Sequence, residues 1–228
     1  MRKLFLISLI AIILSGYTIS LLSNVSESYS PNISELYQRN ISAIALCEVA
    51  KENKFGISEK YYGTGFVIDK HKGLVITASH VITELDESVN VKLNNGLLIN
   101  GTVKVIDIKN DIAIIKVDPI DLVEVSTLRL EMNTVIGEKL FCIGNPGRHI
   151  GTVSSGILST SLIINDDILS PLPHKYYISD IHACGGSSGS PVFNLDGEVI
   201  GIVVRLWESY IMITPSIFIE KLINENEF

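Results

Sequence analysis

From Ile41 onward the chain consists of short runs rich in valine and isoleucine, each broken by glycine, asparagine or aspartate. Runs of this kind between turn-forming residues are typical of β-strands. Asn94-Asn95-Gly96 and Asp196-Gly197 predict two tight hairpin turns. Only residues 215–226 show helical periodicity, after Pro215 at the expected helix start. Because no long helix separates the strands, the pattern favours paired β-barrels over a sheet with helical crossovers.

The predicted strands fall into two sets, which are separated by Asp118-Pro119. The first set is Ile41–Val49, Gly65–Asp69, Leu74–Thr77, Val89–Leu93, Ile99–Asp107 and Ile112–Val117. The second set is Leu128–Leu130, Lys139–Ile143, Gly151–Thr160, Tyr176–Ser179, Pro191–Asn194, Val199–Val204 and Tyr210–Thr214. We therefore expect an all-β fold with barrel 1 over about 39–119, barrel 2 over about 120–214, and a short C-terminal helix over 215–226.

The N-terminus has the layout of an export signal. Arg2 and Lys3 are followed by Leu4–Leu22, a stretch of 19 residues without a charge. The small residues Thr18 and Ser20 suit cleavage after Ser20 by a signal peptidase. The same stretch is also about as long as a helix needs to cross a bilayer. The uncleaved anchor is slightly favoured, with the basic start held in the cytoplasm.

These alternatives place the rest of the chain differently. If residues 1–23 form a hydrophobic helix that is retained, the chain is anchored in a membrane with its globular part outside the cytoplasm. If they are cleaved, the protein is periplasmic or secreted, and it has no other contact with the membrane. A third possibility is that they form a buried helix of the globular domain. We predict a linker over 24–38, because its first part is rich in serine and asparagine, and one globular domain over 39–228.

Charge and composition exclude several classes of partner. The chain has 18 basic and 25 acidic residues, a formal net charge of −7, which becomes −9 for residues 24–228. It has no basic patch of the kind that neutralises phosphates, so nucleic acid is not an expected partner. The five histidines and the three cysteines lack the spacing of metal ligands, and no disulfide scaffold, metal or cofactor is predicted.

Two short motifs could carry nucleophilic chemistry. In Gly185–Pro191, the tight turn leaves the hydroxyl of Ser188 accessible, and its glycines allow backbone N–H groups to face a carbonyl oxygen. The alternative is an ordinary surface loop. In Thr77–Val81, His80 follows an apolar strand and could accept a proton from a serine near neutral pH. Taken alone, it is more simply a histidine at the end of a strand.

A third motif, Asn110–Val117, places Asp111 before a buried strand. Its carboxylate could accept the imidazole N–H and fix the tautomer, although an aspartate in this position is usually part of a turn. The three motifs together are more specific for a function than any one of them alone. The order histidine, aspartate, serine differs from that of α/β-hydrolases and of subtilisin-like enzymes, and it is the chymotrypsin-like order in an all-β chain.

With these residues the chain resembles the trypsin-like (chymotrypsin-fold) serine proteases, and among them the HtrA/Deg-type peptidases. The resemblance runs from about Ile41 to Thr214 and implies two perpendicular six-stranded antiparallel barrels with the triad in the cleft between them. Its matching segments are Gly63–Val67, Thr77–Val81, Asn110–Ala113, Ile143–Gly147, Gly186–Pro191 and Asn194–Ile202.

The resemblance also implies roles for individual residues. It makes His80 the general base, Asp111 the carboxylate that orients it, and Ser188 the nucleophile. The oxyanion hole falls on the backbone of Gly186, Ser187 and Ser188, with the N–H groups of Gly186 and Ser188 as donors. No metal ion or cofactor is implied, and the substrate is a polypeptide.

The primary specificity pocket is assigned by the same resemblance. Its base includes His182, its wall includes Ala183 and Cys184, and the strand formed by Val203, Val204 and Arg205 is expected to pair with the substrate backbone. No acid stands at the base, which argues against a preference for lysine or arginine. An aliphatic pocket, a preference for acidic or polar side chains through His182, and a His182 that only fills space all remain open.

Three departures from the family pattern matter. Ser187 replaces the aspartate of digestive zymogens, so no trypsin-type activation by a new N-terminus is expected. Ser190 replaces the second glycine of the usual motif, as it also does in the staphylococcal glutamyl endopeptidase type. Cys184 lacks its usual disulfide partner and is predicted to be a free buried thiol, and Cys142 is predicted to be buried in a core strand. We expect no PDZ domain after the protease domain.

Two functions from different classes follow. The first is a serine endopeptidase that acts outside the cytoplasm and hydrolyses peptide bonds through an acyl-enzyme on Ser188. The second is a catalytically silent protease-fold module that binds peptides or a partner protein. The presence of all three catalytic residue types favours the first.

Overall fold

The computed structural model describes residues 32–52, 58–82, 84–122, 125–164 and 174–228. Residues from Asn32 to Phe228 form one compact unit, and this unit is described below. The hydrophobic helix predicted over 1–23 and the first part of the predicted linker lie outside the described residues. Within the described part of the chain, no helix is long and apolar enough to cross a membrane.

Barrel 1 is a closed antiparallel barrel of six strands in the order β1-β2-β3-β6-β5-β4. The strands are β1 (Ile44–Glu52), β2 (Ser58–Asp69), β3 (Leu74–Thr77), β4 (Ser88–Leu93), β5 (Leu98–Asp107) and β6 (Ile112–Lys116). β1 closes the barrel because it pairs with β2 on one side and with β4 on the other. β4 alternates exposed and buried residues along its length, as expected of a strand with one face in the core.

Barrel 2 is closed in the order β10-β11-β12-β9-β8-β7. Its strands are β7 (Lys139–Gly144), β8 (Thr152–Ile164), β9 (His174–Ser179), β10 (Pro191–Phe193), β11 (Val199–Trp207) and β12 (Tyr210–Pro215). The ring of Phe141 stacks on the ring of Phe193 at 4.9 Å between centroids, where β7 pairs with β10 and completes the barrel. The predicted all-β fold of two six-stranded antiparallel barrels is therefore confirmed.

Two helices flank the barrels. The predicted C-terminal helix is confirmed as α2 (Ser216–Asn224), which buries Ile219. The other helix, α1 (Ile33–Asn40), occupies residues that the sequence assigned to the linker, so that assignment is wrong from residue 33 onward. Asn32 caps the N-terminus of α1, and its side chain accepts a hydrogen bond from the N–H of Glu35. The fully buried Leu36 packs into the core, which holds this short helix against the barrel.

Two predicted strand segments have a different structure. Leu128–Leu130 does not form a strand, because only Leu130 makes a single bridge, to Val199. Residues 41–43 form a 3-10 turn before β1 begins at Ile44. Ile41, Ala43 and Leu128 are buried and Leu130 is half-buried, so the sequence pattern indicated burial rather than strand pairing there.

All three cysteines are free thiols. Cys47 and Cys142 are buried, as predicted for Cys142, and burial raises the pKa of each thiol to about 12. The prediction of a free thiol at Cys184 is confirmed, but the prediction that this residue is buried is wrong. Cys184 lies in the exposed part of the loop before Gly186.

Candidate active site

His80 is presented by the turn that follows β3. This strand is fully buried and ends at Thr77, and a 3-10 turn over Ser79–Val81 follows it. Ser79 and Val81 point inward, while the side chain of His80 is 47% exposed. The local sequence thus anchors the turn on both sides of the histidine and leaves the imidazole ring at the surface of barrel 1.

Asp111 lies in the turn between β5 and β6, with a left-handed backbone at φ 54°. Its Oδ2 is 2.7 Å from Nδ1 of His80, and its Oδ1 accepts hydrogen bonds from the backbone N–H of His80 at 2.9 Å and from the hydroxyl of Ser79 at 2.8 Å. The three hydrogen bonds of this carboxylate are therefore all made to the turn that carries His80. The sequence did not assign a role to Ser79, which helps to hold the carboxylate in place.

Two opposing effects act on the Asp111 carboxyl. Burial raises its pKa, but the hydrogen bonds and charge of His80, its backbone N–H and the Ser79 hydroxyl outweigh burial, so the pKa lies below its ordinary value. The group is accordingly an ionised carboxylate at neutral pH. A carboxylate can only accept hydrogen bonds, so Nδ1 of His80 carries the proton and Nε2 is left as an acceptor.

Ser188 lies in the loop between β9 and β10, and its Oγ is 2.8 Å from Nε2 of His80. With the tautomer that Asp111 imposes, the serine hydroxyl donates to the imidazole. Barrel 1 supplies two of the three side chains and barrel 2 supplies the third. The structure thus brings together all three residues of the predicted triad in one row of hydrogen bonds.

The backbone next to Ser188 offers two N–H groups to a ligand. The N–H groups of Gly186 and Ser188 have no hydrogen-bond partner among the described residues, whereas the N–H of Ser187 donates to the carbonyl of Cys184 at 2.9 Å. Ser187 is thereby excluded as a donor, although the sequence placed it in the oxyanion hole. Gly186 has φ 96° and sits so tightly that a Cβ there would lie 2.7 Å from the carbonyl oxygen of Asn145.

A buried polar network supports this loop from barrel 1. The hydroxyl of Thr64 in β2 donates to the carbonyl of Gly186 at 2.8 Å and accepts from the N–H of Asn145 at 2.9 Å. The side chain of Asn145 donates to the carbonyl of Ala45 and accepts from the N–H of Gly151. Thr64 and Asn145 are both fully buried. Both residues lie in segments that carry the family resemblance, but the sequence does not show that they connect the two barrels behind the candidate site.

Thr64→Val is expected to destabilise the fold by about 2–4 kcal/mol, because the isosteric change leaves the buried Gly186 carbonyl and Asn145 N–H without their partner. Urea unfolding measures the difference. Thr102 in β5 is half-buried, and its hydroxyl has no hydrogen bond within the described ranges, so Thr102→Val is the control and should change stability by less than about 0.5 kcal/mol. Equal losses in the two variants would contradict a special role for Thr64.

The residues predicted to line the specificity pocket are not equally accessible to a substrate. His182 and Cys184 are exposed and Ala183 is half-buried, in the loop that leads to Gly186. Val203 is only 2% exposed, and its N–H and carbonyl are bonded to Ser190 and Gly189. It cannot pair with a substrate backbone, so the prediction is wrong for this residue.

A cleft of about 820 Å³ begins at His80 and Ser188 and runs along Val204 and Arg205. Its lining is mostly apolar, and it also includes the charged residues Glu84, Lys109, Asp111 and Arg205. The apolar side chains that the sequence did not single out are Ile82, Leu85, Ile106, Ile108, Leu206 and Met212. They come from both barrels, which is why no single motif revealed them.

Two closed six-stranded barrels that bring a serine, a histidine and an aspartate into one hydrogen-bonded row define the chymotrypsin-like class of protein. Comparison with known families agrees with this architecture. The model of the trypsin-like peptidase domain matches residues 63–202, and the chain belongs to this family.

Curated relatives are named as serine proteases. Serine protease HTR4 of Rattus norvegicus is 36% identical over 141 residues, which cover 61% of this chain and 28% of that protein. Serine protease HTRA3 of Homo sapiens is 36% identical over 146 residues, or 61% of this chain and 32% of the relative. A Halomonas elongata protein named a probable periplasmic serine endoprotease, DegP-like, is 36% identical over 144 residues, or 61% and 28%. The chain thus spans less than a third of the length of these relatives.

Proposed function

We propose that the protein is a serine endopeptidase that hydrolyses peptide bonds through an acyl-enzyme on Ser188. One observation carries the proposal: Oγ of Ser188, both ring nitrogens of His80 and Oδ2 of Asp111 form an unbroken row with spacings of 2.8 and 2.7 Å. A serine needs an adjacent base to act as a nucleophile, and the base needs an orienting group. This row provides both.

In acylation, Oγ of Ser188 attacks the carbonyl carbon of the scissile bond while Nε2 of His80 takes the hydroxyl proton. Asp111 stays ionised and stabilises the imidazolium that forms. The tetrahedral intermediate collapses when Nε2 returns the proton to the leaving nitrogen, so the C–N bond breaks and an amine departs. The acyl group remains bonded to Oγ.

Deacylation repeats these steps with water as the nucleophile. Nε2 of His80 removes a proton from water as its oxygen attacks the ester carbonyl, and the proton then passes to Oγ as the ester bond breaks. In both halves negative charge develops on the carbonyl oxygen. The free N–H groups of Gly186 and Ser188 are the donors that we assign to that oxygen, in agreement with their unpaired state among the described residues.

A fluorophosphonate probe tests the proposal directly, because it reacts with activated serines. We expect the folded protein to label at Ser188 and the Ser188→Ala variant to remain unlabelled. Absence of labelling in folded wild-type protein would support the alternative, a catalytically silent module that binds peptides or a partner protein. Labelling of both proteins would place the reactive residue elsewhere.

The oxyanion loop needs no zymogen-type ion pair in this proposal. The hydroxyl of Ser187 is buried and accepts a hydrogen bond from the N–H of Cys184 at 3.3 Å. The loop is thus closed by a neutral contact where digestive zymogens place an aspartate. Full labelling by the probe without prior cleavage of the chain is the expected result, and an inactive precursor that must be cut before β1 would refute it.

For the substrate, we propose a peptide segment with an apolar side chain in the cleft. A strand that pairs along Val204 and Arg205 would turn alternate side chains toward the apolar walls between Ile108 and Leu206. His182, Ala183 and Cys184 do not line this cleft, and it is the family resemblance that assigns them to the side chain next to the scissile bond. No acid is present among these three residues, which argues against a lysine or arginine in that position.

Leu206→Asp is expected to lower kcat/KM about tenfold for peptides with an apolar side chain in the cleft, since the new charge replaces an apolar contact. Leu206 is 50% exposed in β11. Leu98 begins β5 and is 61% exposed outside the cleft, so Leu98→Asp is the matched control and should leave kcat/KM unchanged. Competition within a peptide library measures the preference. An unchanged preference in the Leu206 variant would remove the cleft from substrate selection.

We also propose that the protein acts outside the cytoplasm. The uncharged stretch Leu4–Leu22 after Arg2 and Lys3 supports export, and the Halomonas relative is named periplasmic. Fractionation of cells that express the full chain tests this location, and mass spectrometry of the mature N-terminus distinguishes a cleaved signal from a retained anchor. Recovery of the uncleaved chain in the cytosol would contradict the proposal.

A further inference from the structure

The loop that joins β7 to β8 is fastened to barrel 1 by an arginine. Arg148 lies in this loop with a left-handed backbone at φ 68°. Its Nη2 is 3.2 Å from Oε1 of Glu48, and its guanidinium carbon lies 4.5 Å from the centroid of the Tyr62 ring. Glu48 and Tyr62 face each other across the β1–β2 pair. One side chain of barrel 2 thus contacts two adjacent residues of barrel 1.

The same loop holds the peptide that carries the Gly186 N–H. The N–H of Gly147, next to Arg148, donates to the carbonyl of Gly185 at 2.7 Å. The Tyr62 ring packs beside this peptide, because a Cβ on Gly186 would lie 2.9 Å from Cε2 of Tyr62 and 3.1 Å from the nitrogen of Gly147. The arginine, the tyrosine ring and the peptide before Gly186 are therefore in consecutive contact.

The orientation of that peptide decides whether the oxyanion hole has one donor or two. In a trans peptide the carbonyl and the N–H point in opposite directions. While Gly147 holds the carbonyl of Gly185, the N–H of Gly186 must point away from the loop. The flanking residues are both glycines and would tolerate the opposite orientation at little cost, so an external contact has to select one of the two.

We propose that Arg148 is a positioning residue, which through Glu48 and Tyr62 fixes the loop whose Gly147 N–H orients the Gly185–Gly186 peptide for oxyanion binding. The inference rests on the proposed function of Ser188. It assigns Arg148 no contact with the substrate. Arg148 affects the reaction only by fixing the direction in which the N–H group of Gly186 points.

Loss of the Arg148 contacts is expected to lower the rate of peptide hydrolysis more than it lowers the free energy of unfolding. The first part of the loop is held independently, because the buried side chain of Asn145 bonds to Ala45 and Gly151. The Arg148 side chain is 43% exposed, and exposed ion pairs add little to the free energy of unfolding. Loss of Arg148 should thus free the peptide without unfolding the barrel.

Arg148→Met tests the inference, since methionine keeps an extended apolar side chain and carries the same left-handed backbone penalty as other L-residues. Outright removal of one oxyanion donor costs about 10²–10³-fold in kcat. A peptide that still visits the correct orientation should lose less, and we expect kcat to fall about tenfold with KM within about twofold. Arg148→Lys keeps the charge near Glu48 and should recover part of the loss.

Two further measurements separate positioning from folding. Fluorophosphonate titration counts the competent sites, so that kcat is expressed per labelled Ser188, and the labelling rate itself should fall with kcat. In a Ser188→Ala background, the Arg148→Met change should leave peptide affinity unchanged. Lys221→Ala, which removes an exposed cation of α2 that is paired with Glu225, is the control and should change neither rate nor affinity.

The outcomes distinguish this inference from the proposed function. If wild-type protein does not label, the proposed function itself fails. If wild type labels and Arg148→Met has the same kcat per labelled site, or has fewer labelled sites with unchanged kcat at each, the positioning role is overturned. A Glu48→Gln, Arg148→Met double variant should be no slower than Arg148→Met alone, and additive losses would contradict the proposed chain of contacts.

Discussion

Ser188→Ala is expected to reduce the rate of peptide hydrolysis on the order of 10⁶-fold, because the nucleophile itself is lost. The change removes the proposed nucleophilic atom, Oγ at 2.8 Å from Nε2 of His80. Methyl and hydroxymethyl side chains differ by one heavy atom, so the barrels should remain folded. Steady-state cleavage of a peptide from a library hit, together with circular dichroism of both proteins, measures the effect.

The residual rate is informative as well. Two free N–H groups and the cleft stay intact in the Ser188→Ala variant, so some acceleration over water should persist. Ser155→Ala, an exposed serine of β8, is the control and should retain full activity. Cleavage at a comparable rate by the Ser188 variant would show that another group, or a contaminating protease, performs the reaction.

The three residues of the proposed triad could be selected from the sequence because each of them lies within a short local motif. His80 follows a buried strand, Asp111 precedes another, and Ser188 lies among glycines. Local spacing specifies such turns, and the order of the three residues then excludes other hydrolase folds. What the sequence could not give is the distance between motifs, which depends on how the barrels close.

The residues that sequence reasoning missed act across long separations in the chain. Thr64 and Asn145 are ordinary polar residues in strand-rich sequence, and only the folded chain reveals that they meet at the Gly186 carbonyl. Arg148 has the same character, since its partners lie in β1 and β2. A polar residue becomes informative when burial makes its hydrogen bonds obligatory, and burial is a tertiary property.

The specificity pocket was the part predicted least well. Val203 has the right place in the chain, but its backbone is already bonded within barrel 2. β11 has a register shift between Val203 and Arg205, which alternation in the sequence does not indicate. The helix over 33–40 was missed for a related reason: it is short, and it is held by Leu36 in the core rather than by its own propensity.

Asp111→Asn is expected to lower kcat on the order of 10⁴-fold while the fold is retained. The reason lies in how the carboxylate is held. Its Oδ1 accepts from the His80 backbone N–H and from the Ser79 hydroxyl, so an asparagine must keep its oxygen there. Its NH₂ group then faces Nδ1 of His80, which has to become an acceptor. The ring proton moves to Nε2, and the base that Ser188 requires is lost.

Fluorophosphonate labelling also depends on the activation of Ser188 by His80. The labelling rate of the Asp111→Asn variant should therefore fall in parallel with its kcat. Asp121→Asn, which makes the same change of charge at an exposed position after β6, is the control and should react at the wild-type rate. If Asp111→Asn reacted as fast as that control, the carboxylate would not set the tautomer of His80. The nucleophile would then have to be activated without an orienting group, and the hydrogen-bonded row could no longer support the proposed mechanism.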